Sequence, residues 1–177
     1  VQRIVVEWRL PRILLAVVGG ASLALSGAIF QSMTRNPLGS PDIIGFSTGA
    51  YTGALVVTLV LGASSLLVPV GAFVGGLATA LLVYALAFRG GVHGFRLIVV
   101  GIAVSAMLAA VNAYLRAQAR LEVAMSMAIW GSGTLNGTRW GQVLPVVIVL
   151  LIAVPALVLL SRRLLVRELG EEHARML

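Results

Sequence analysis

Apolar positions along this chain fall into blocks separated by short polar joints. The first block, Ile13–Met33, is long enough as a helix to cross a hydrocarbon core of about 30 Å at about 1.5 Å per residue. The second, Phe46–Leu61, is short, and Gly62-Ala63-Ser64-Ser65 separates it from the third, Leu66–Phe88. Leu97–Leu115 and Val143–Leu160 complete the series. Between these last two lies Arg116–Gln142, which carries Glu122, the apolar stretch Met125–Trp130 and Gly131-Ser132-Gly133. That stretch predicts a short interfacial helix, then a glycine-rich loop ending at Trp140, a residue type favoured at membrane surfaces. The pattern as a whole predicts an all-α fold, a polytopic transmembrane helical bundle with about five membrane spans.

Within the blocks, small residues recur at helical spacing. Gly45, Gly49 and Gly53 form two overlapping GxxxG steps, and Gly71–Gly75 and Ala72–Gly76–Ala80 repeat the pattern later. Lipid gives little hydrophobic drive between helices, so close backbone approach has to hold a bundle together. These stripes predict tight helix packing.

Composition sharpens the membrane reading. Hydrophobic residues make up 59% of the chain and charged residues 11%, against about 25% charged in a soluble domain. Mean hydropathy is +1.03. The net charge of +7 invites a nucleic-acid partner, but the arginines lie between apolar blocks and form no basic stripe, so nucleic acid is not expected. Cysteine is absent, which excludes disulfides and thiolate chemistry. The charged opening Val1–Arg9 reads as a loop inside a longer protein. Loop arginines do not fix the orientation. Arg3, Arg9, Arg12, Arg116, Arg120 and Arg139 fall on one side and Arg35, Arg89, Arg96, Arg162, Arg163, Arg167 and Arg175 on the other.

Candidate chemistry is sparse. Gly45-Phe46-Ser47-Thr48-Gly49 matches the G-x-S-x-G elbow of serine hydrolases, which needs a strand before the serine and a histidine and carboxylate beside it. Pro41-Asp42-Ile43-Ile44 precedes it here, and the histidines His93 and His173 both fall in loops. The competing reading is a packing motif whose serine caps a helix start. No metal or phosphate-loop motif is present, and the apolar blocks contain no acid of the kind that couples transport to protons or sodium. No cofactor or metal is therefore expected. Asn36-Pro37-Leu38-Gly39-Ser40-Pro41 is the most distinctive polar loop. Its prolines stiffen it, and Asn36 and Ser40 can satisfy an exposed helix end. Irregular backbone at membrane depth is tolerated only against protein or a watery cavity, so the loop is a candidate pathway lining. The tail from Ser161 to Leu177 is amphipathic and is expected to break at Gly170 into two short pieces.

Several of these segments, taken in order, resemble a known family. They are Arg9-Leu10-Pro11-Arg12, Ser26–Gln31, Arg35–Pro41, Gly45–Ala50, Arg96–Ala103, Trp130–Gly133 and Leu169-Gly170-Glu171-Glu172-x-Ala174-Arg175. Together they resemble the FecCD/BtuC-type permease subunits of bacterial ABC importers for iron–siderophores, haem and cobalamin. The resemblance implies a dimeric permease fold of approximately ten helices per subunit, of which residues 1–177 would be a partial domain covering helices two to six. It implies no catalysis in this chain, a separate ATP-binding cassette ATPase, a periplasmic or lipid-anchored substrate-binding protein and a second permease subunit. The expected location is the bacterial cytoplasmic (inner) membrane, multi-pass and in contact with lipid.

Site residues carry over one by one. Arg9 and Arg12 would face the substrate-binding protein. Asn36, Leu38, Gly94 and Phe95 would stand at the cytoplasmic gate, and Leu121–Trp130 would narrow the outer mouth. Leu169, Gly170, Glu171, Glu172, Ala174 and Arg175, within a coupling segment at 161–177, would sit in a cleft of the ATPase. The remaining alternatives are another polytopic transporter or channel, or an intramembrane hydrolase using Ser47.

Overall fold

The computed structural model describes residues 2–34, 36–37, 39–60, 62, 67–88 and 94–175, with side chains at 33 and from 160 onward left aside. Among these residues the chain forms α1 (Leu10–Thr34), α2 (Phe46–Leu59), α3 (Val68–Ala87), α4 (Gly94–Gln118), α5 (Leu121–Gly131) and α6 (Trp140–Arg175). A π-helical turn, Ile4–Arg9, leads into α1, and a 3-10 turn, Pro41–Ile44, leads into α2. Two units divide the chain, Val1–Leu23 with Leu135–Leu177, and Ala24–Thr134.

Among the described residues, four helical stretches are long and apolar enough to cross a membrane: Ile4–Ser32, Val68–Ala87, Gly94–Gln118 and Trp140–Leu159. The second expected span falls short. Its helix α2 has 14 residues, about 21 Å of rise against a core of about 30 Å. Glycines set its limits: Gly45 caps the start at φ 78°, and Gly62 stands just beyond the end at φ 56°. Both conformations are ones that side-chain-bearing residues rarely adopt.

The opening is also more ordered than a loop. Residues Ile4–Arg9 are helical, and Arg3 Nε meets Glu7 Oε2 at 3.0 Å one turn apart. Pro11 explains the widened turn. The Leu10 N–H reaches back five residues to the Val5 carbonyl, and the next link, from residue 11 to the Val6 carbonyl, has no donor because proline has no N–H. The Trp140 indole Nε1–H supplies it at 3.0 Å, so the first residue of α6 satisfies the carbonyl that Pro11 leaves open.

In the unit Ala24–Thr134, α2 and α3 run antiparallel with their glycines face to face. A Cβ on Gly53 would collide with the Gly71 carbonyl, and one on Gly75 would meet Gly49 O and Gly53 Cα. The two predicted stripes are thus opposite halves of one contact. Thr79 donates to the Gly75 carbonyl at 2.8 Å, which keeps its hydroxyl satisfied inside the seam. Ala54, Val68 and Ala72 extend the seam as a small apolar core. A second core joins Phe30 of α1, Val83 and Ala87 of α3, and Leu97 and Val104 of α4. Elsewhere large apolar side chains are exposed, such as Phe73 at 66% and Leu121 at 75%, as expected of helices that lipid solvates.

Candidate functional site

The polar joint after α1 is a compact folded turn. The Asn36 N–H donates to the Gln31 carbonyl at 3.2 Å, and the Gly39 N–H to the Asn36 carbonyl at 3.0 Å. Gln31 Nε2 donates to the Pro37 carbonyl at 3.0 Å, tying the joint back to the helix it leaves. Ser40 then caps the 3-10 turn by accepting from the Asp42 N–H at 3.3 Å. Gly101 of α4 is what lets that turn lie close, since a Cβ there would meet Ile43 O at 2.5 Å and Ile44 Cα at 2.7 Å.

This arrangement brings two of the expected gate positions to one place. Gly39 and Gly94 both pack on Thr34, the last residue of α1. A Cβ on Gly39 would meet Thr34 Oγ1 at 2.6 Å, and one on Gly94 would meet Thr34 O at 3.1 Å. The turn holding Asn36 and the first residue of α4 therefore share a junction. Phe95 does not join it; its ring is 82% exposed. Leu38 lies outside the described residues.

Ser47 is not arranged as a hydrolase nucleophile. A 3-10 turn, not a strand, precedes it, and its hydroxyl donates to Asp42 Oδ1 across the start of α2. Nor does it cap the helix start, as the competing reading expected: Gly45 is the cap and makes no side-chain hydrogen bond, and Ser47 lies within the first turn of α2.

Arg9 and Arg12 are exposed at the start of the Val1–Leu23 segment. Glu7, the nearby acid, is already engaged by Arg3, and no described acid pairs with Arg9 or Arg12. The last coupling residues lie on α6, which continues through Gly170 to Arg175 without the expected break. One glycine costs a helix only about 1 kcal/mol, and its neighbours Leu169 and Glu171 are strong helix formers. Side chains of this tail lie outside the described residues.

Three residues escaped the sequence reading. Asn112 of α4 is 3% exposed; its Nδ2 donates to the Thr48 carbonyl of α2 at 3.3 Å, and its Oδ1 has no partner among the described residues. One turn later, Arg116 lies over the Tyr51 ring, Cζ to centroid 5.7 Å. Tyr51 also stacks on Trp130 of α5, with centroids 6.2 Å apart and planes at 19°, and donates its hydroxyl to the Met127 carbonyl at 3.1 Å. A lone amide inside the apolar run Leu97–Leu115 was a readable signal for Asn112. Nothing local marks Tyr51, whose partners lie 76 and 79 residues on.

Comparison with known proteins accounts for this set of parts. The model of the FecCD transport family matches residues 1–177. The ferric enterobactin transport system permease protein FepG of Escherichia coli is 47% identical over 171 residues, covering 97% of this chain and 52% of that protein. The achromobactin transport system permease protein CbrC of Dickeya dadantii is 39% identical over 176 residues, covering 97% and 50%. A solved structure described as an inward-facing conformation of a metal-chelate type ABC transporter superposes with a TM-score of 0.82 at 30% identity, over 90% of this chain and 51% of that one. The chain spans about half the length of the curated relatives it matches. With a family match along its whole length and helices built to cross a membrane several times, this multi-pass chain belongs to the FecCD transport family.

Proposed function

We propose that this chain forms part of the permease subunit of an ABC importer in the bacterial cytoplasmic membrane. It lines the path of an iron–siderophore-type, haem or cobalamin cargo and performs no covalent chemistry itself. The observation that carries this reading is the family match over residues 1–177. Arg9 and Arg12, exposed and without acidic partners among the described residues, suit docking of an acidic surface on a substrate-binding protein. Such rim charges steer encounter more than they add affinity.

At the cytoplasmic end of the path, the junction on Thr34 serves as the gate. There the turn carrying Asn36 and the start of α4 at Gly94 have so little space that they move together. Leu38 belongs to the same gate, and Phe95, exposed next to the junction and not packed in it, is free to close on the path. The helix α5 borders the outer mouth. ATP binding in a separate cassette ATPase acts on residues 161–177, with Leu169, Gly170, Glu171, Glu172, Ala174 and Arg175 in its cleft. A second permease subunit completes the path.

The test is co-purification of the tagged full-length protein with its ATPase in mild detergent, beside a variant with Glu171, Glu172 and Arg175 changed to alanine. The ATPase is expected to stay with the parent and to be lost from the variant. Equal retention by both would remove the coupling role from this segment. No retention by a folded parent would count against the importer reading itself.

A further inference from the structure

The helix α5 has little apolar packing to hold it. Met127 is its single buried residue among those described, while Leu121, Met125 and Ile129 on successive turns are all exposed. A surface helix so weakly buried is normally among the first elements to open. Its described ties run to one side chain. The Tyr51 hydroxyl donates to the Met127 carbonyl at 3.1 Å, and its ring stacks on Trp130. The position after Trp130 is glycine, where a Cβ would meet Tyr51 Cε2 at 2.5 Å. The Arg116 guanidinium also lies over that same ring, 5.7 Å from its centre. Arg116 is fixed in turn by its Nε–H donating to the Asn112 carbonyl at 3.3 Å. Tyr51 is thus where α2, α4 and α5 meet.

We propose that Tyr51 is the positioning residue that latches α5 to α2 and α4, and so sets the outer opening of the transport path. The second clause rests on the importer reading, in which α5 borders that opening; the first does not. A ring stack and a hydroxyl bond suit a latch because both release without leaving an apolar core exposed. The open carbonyl of Met127 then finds water or a headgroup at the membrane surface. A phenylalanine would keep the stack and the cation over the ring, and lose only the hydrogen bond.

Residues 1–177 contain no cysteine, so two introduced thiols are the only ones in this region, and any cysteine elsewhere in the full-length protein is first changed to serine. Met107→Cys on α4 and Met125→Cys on α5, both exposed, accept spin labels in the full-length protein reconstituted in lipid vesicles. The parent is expected to give one narrow distance. Tyr51→Leu should lower the ratio of latched to released α5 about tenfold, the combined size of a stack and a hydrogen bond, and so bring in a broad second distance. Tyr51→Phe should reduce that ratio by only about threefold. Trp130→Leu, which keeps the hydroxyl bond, provides the same reading should Tyr51→Leu fail to elute as a folded species. An unchanged distance in Tyr51→Leu, or in Trp130→Leu when that variant stands in, would overturn the latch.

The second readout is ATP hydrolysis by the reconstituted complex, with and without its binding protein. Stimulation by the binding protein should fall in Tyr51→Leu and recover in Tyr51→Phe. A released α5 with unaltered stimulation would overturn the link to the outer opening. A parent complex that shows no stimulation would instead refute the importer reading, and the distances would still decide the latch.

Discussion

The α2–α3 seam and the attachment of α5 hold helices together in opposite ways. In the seam, backbone lies on backbone: Gly49, Gly53, Gly71 and Gly75 leave no room for even a methyl group. Affinity there comes from dispersion over a close, continuous contact, and it is lost as a whole if the helices part. At α5 the contact is a few side-chain groups gathered on Tyr51. Each is worth about 1 kcal/mol and each can be remade. The difference separates an element built to stay from one built to be released.

Substitutions can break the comparison or sharpen it. Gly53→Val puts a branched side chain against the Gly71 carbonyl and should cost about 3 kcal/mol or more, because backbone cannot step aside as a side chain does. Loss of the monodisperse species in detergent, at temperatures the parent tolerates, would report it. A parent-like elution and melting profile would mean that the seam is looser than its geometry. Gly101→Val should cost somewhat less, about 2 kcal/mol, since the 3-10 turn Pro41–Ile44 can shift outward. Its effect should be local, read as faster amide exchange at Ile43 and Ile44 with α2–α3 amides unaffected. Uniform loosening would contradict that boundary. The smallest change is expected for Asn112→Leu. It deletes the bond to the Thr48 carbonyl but also removes an Oδ1 that has no partner among the described residues, so stability should move by less than about 1 kcal/mol. A large drop in melting temperature would show that Asn112 ties α2 to α4 more firmly than one long hydrogen bond.

Much of this architecture was legible because its causes are local. Four of the five apolar blocks contain helices of membrane length, and the glycine spacing on α2 and α3 announced a contact before its partner was known. The polar turn at Asn36–Pro41 was legible from its prolines and caps. Three features read wrongly depend on what flanks them. The block Phe46–Leu61 counts as a span by hydropathy, yet Gly45 and Gly62 confine its helix to 14 residues. Val1–Arg9 looked like a loop because of its charges, although Arg3 and Glu7 stand one helical turn apart and pair there. Gly170 looked like a break, and its helix-forming neighbours carry α6 through it. The Tyr51 cluster stayed hidden for a different reason. Its members come from three helices, and no window of sequence contains them.

The π-turn at Ile4–Arg9 bears on how the first charged residues are aimed. It accommodates one more residue than an ordinary turn, with Pro11 below it and Trp140 capping the carbonyl that results. Helical residues advance by about 100° each. The six residues of the widened turn cover about the angle that five cover at that advance, so a chain one residue shorter here would close into regular helix with Arg3 still in phase with Arg9 and Arg12. Beyond the turn, α1 would continue in its existing phase. The turn is thus a place where the chain can gain or lose one residue without redirecting the charged residues that flank it.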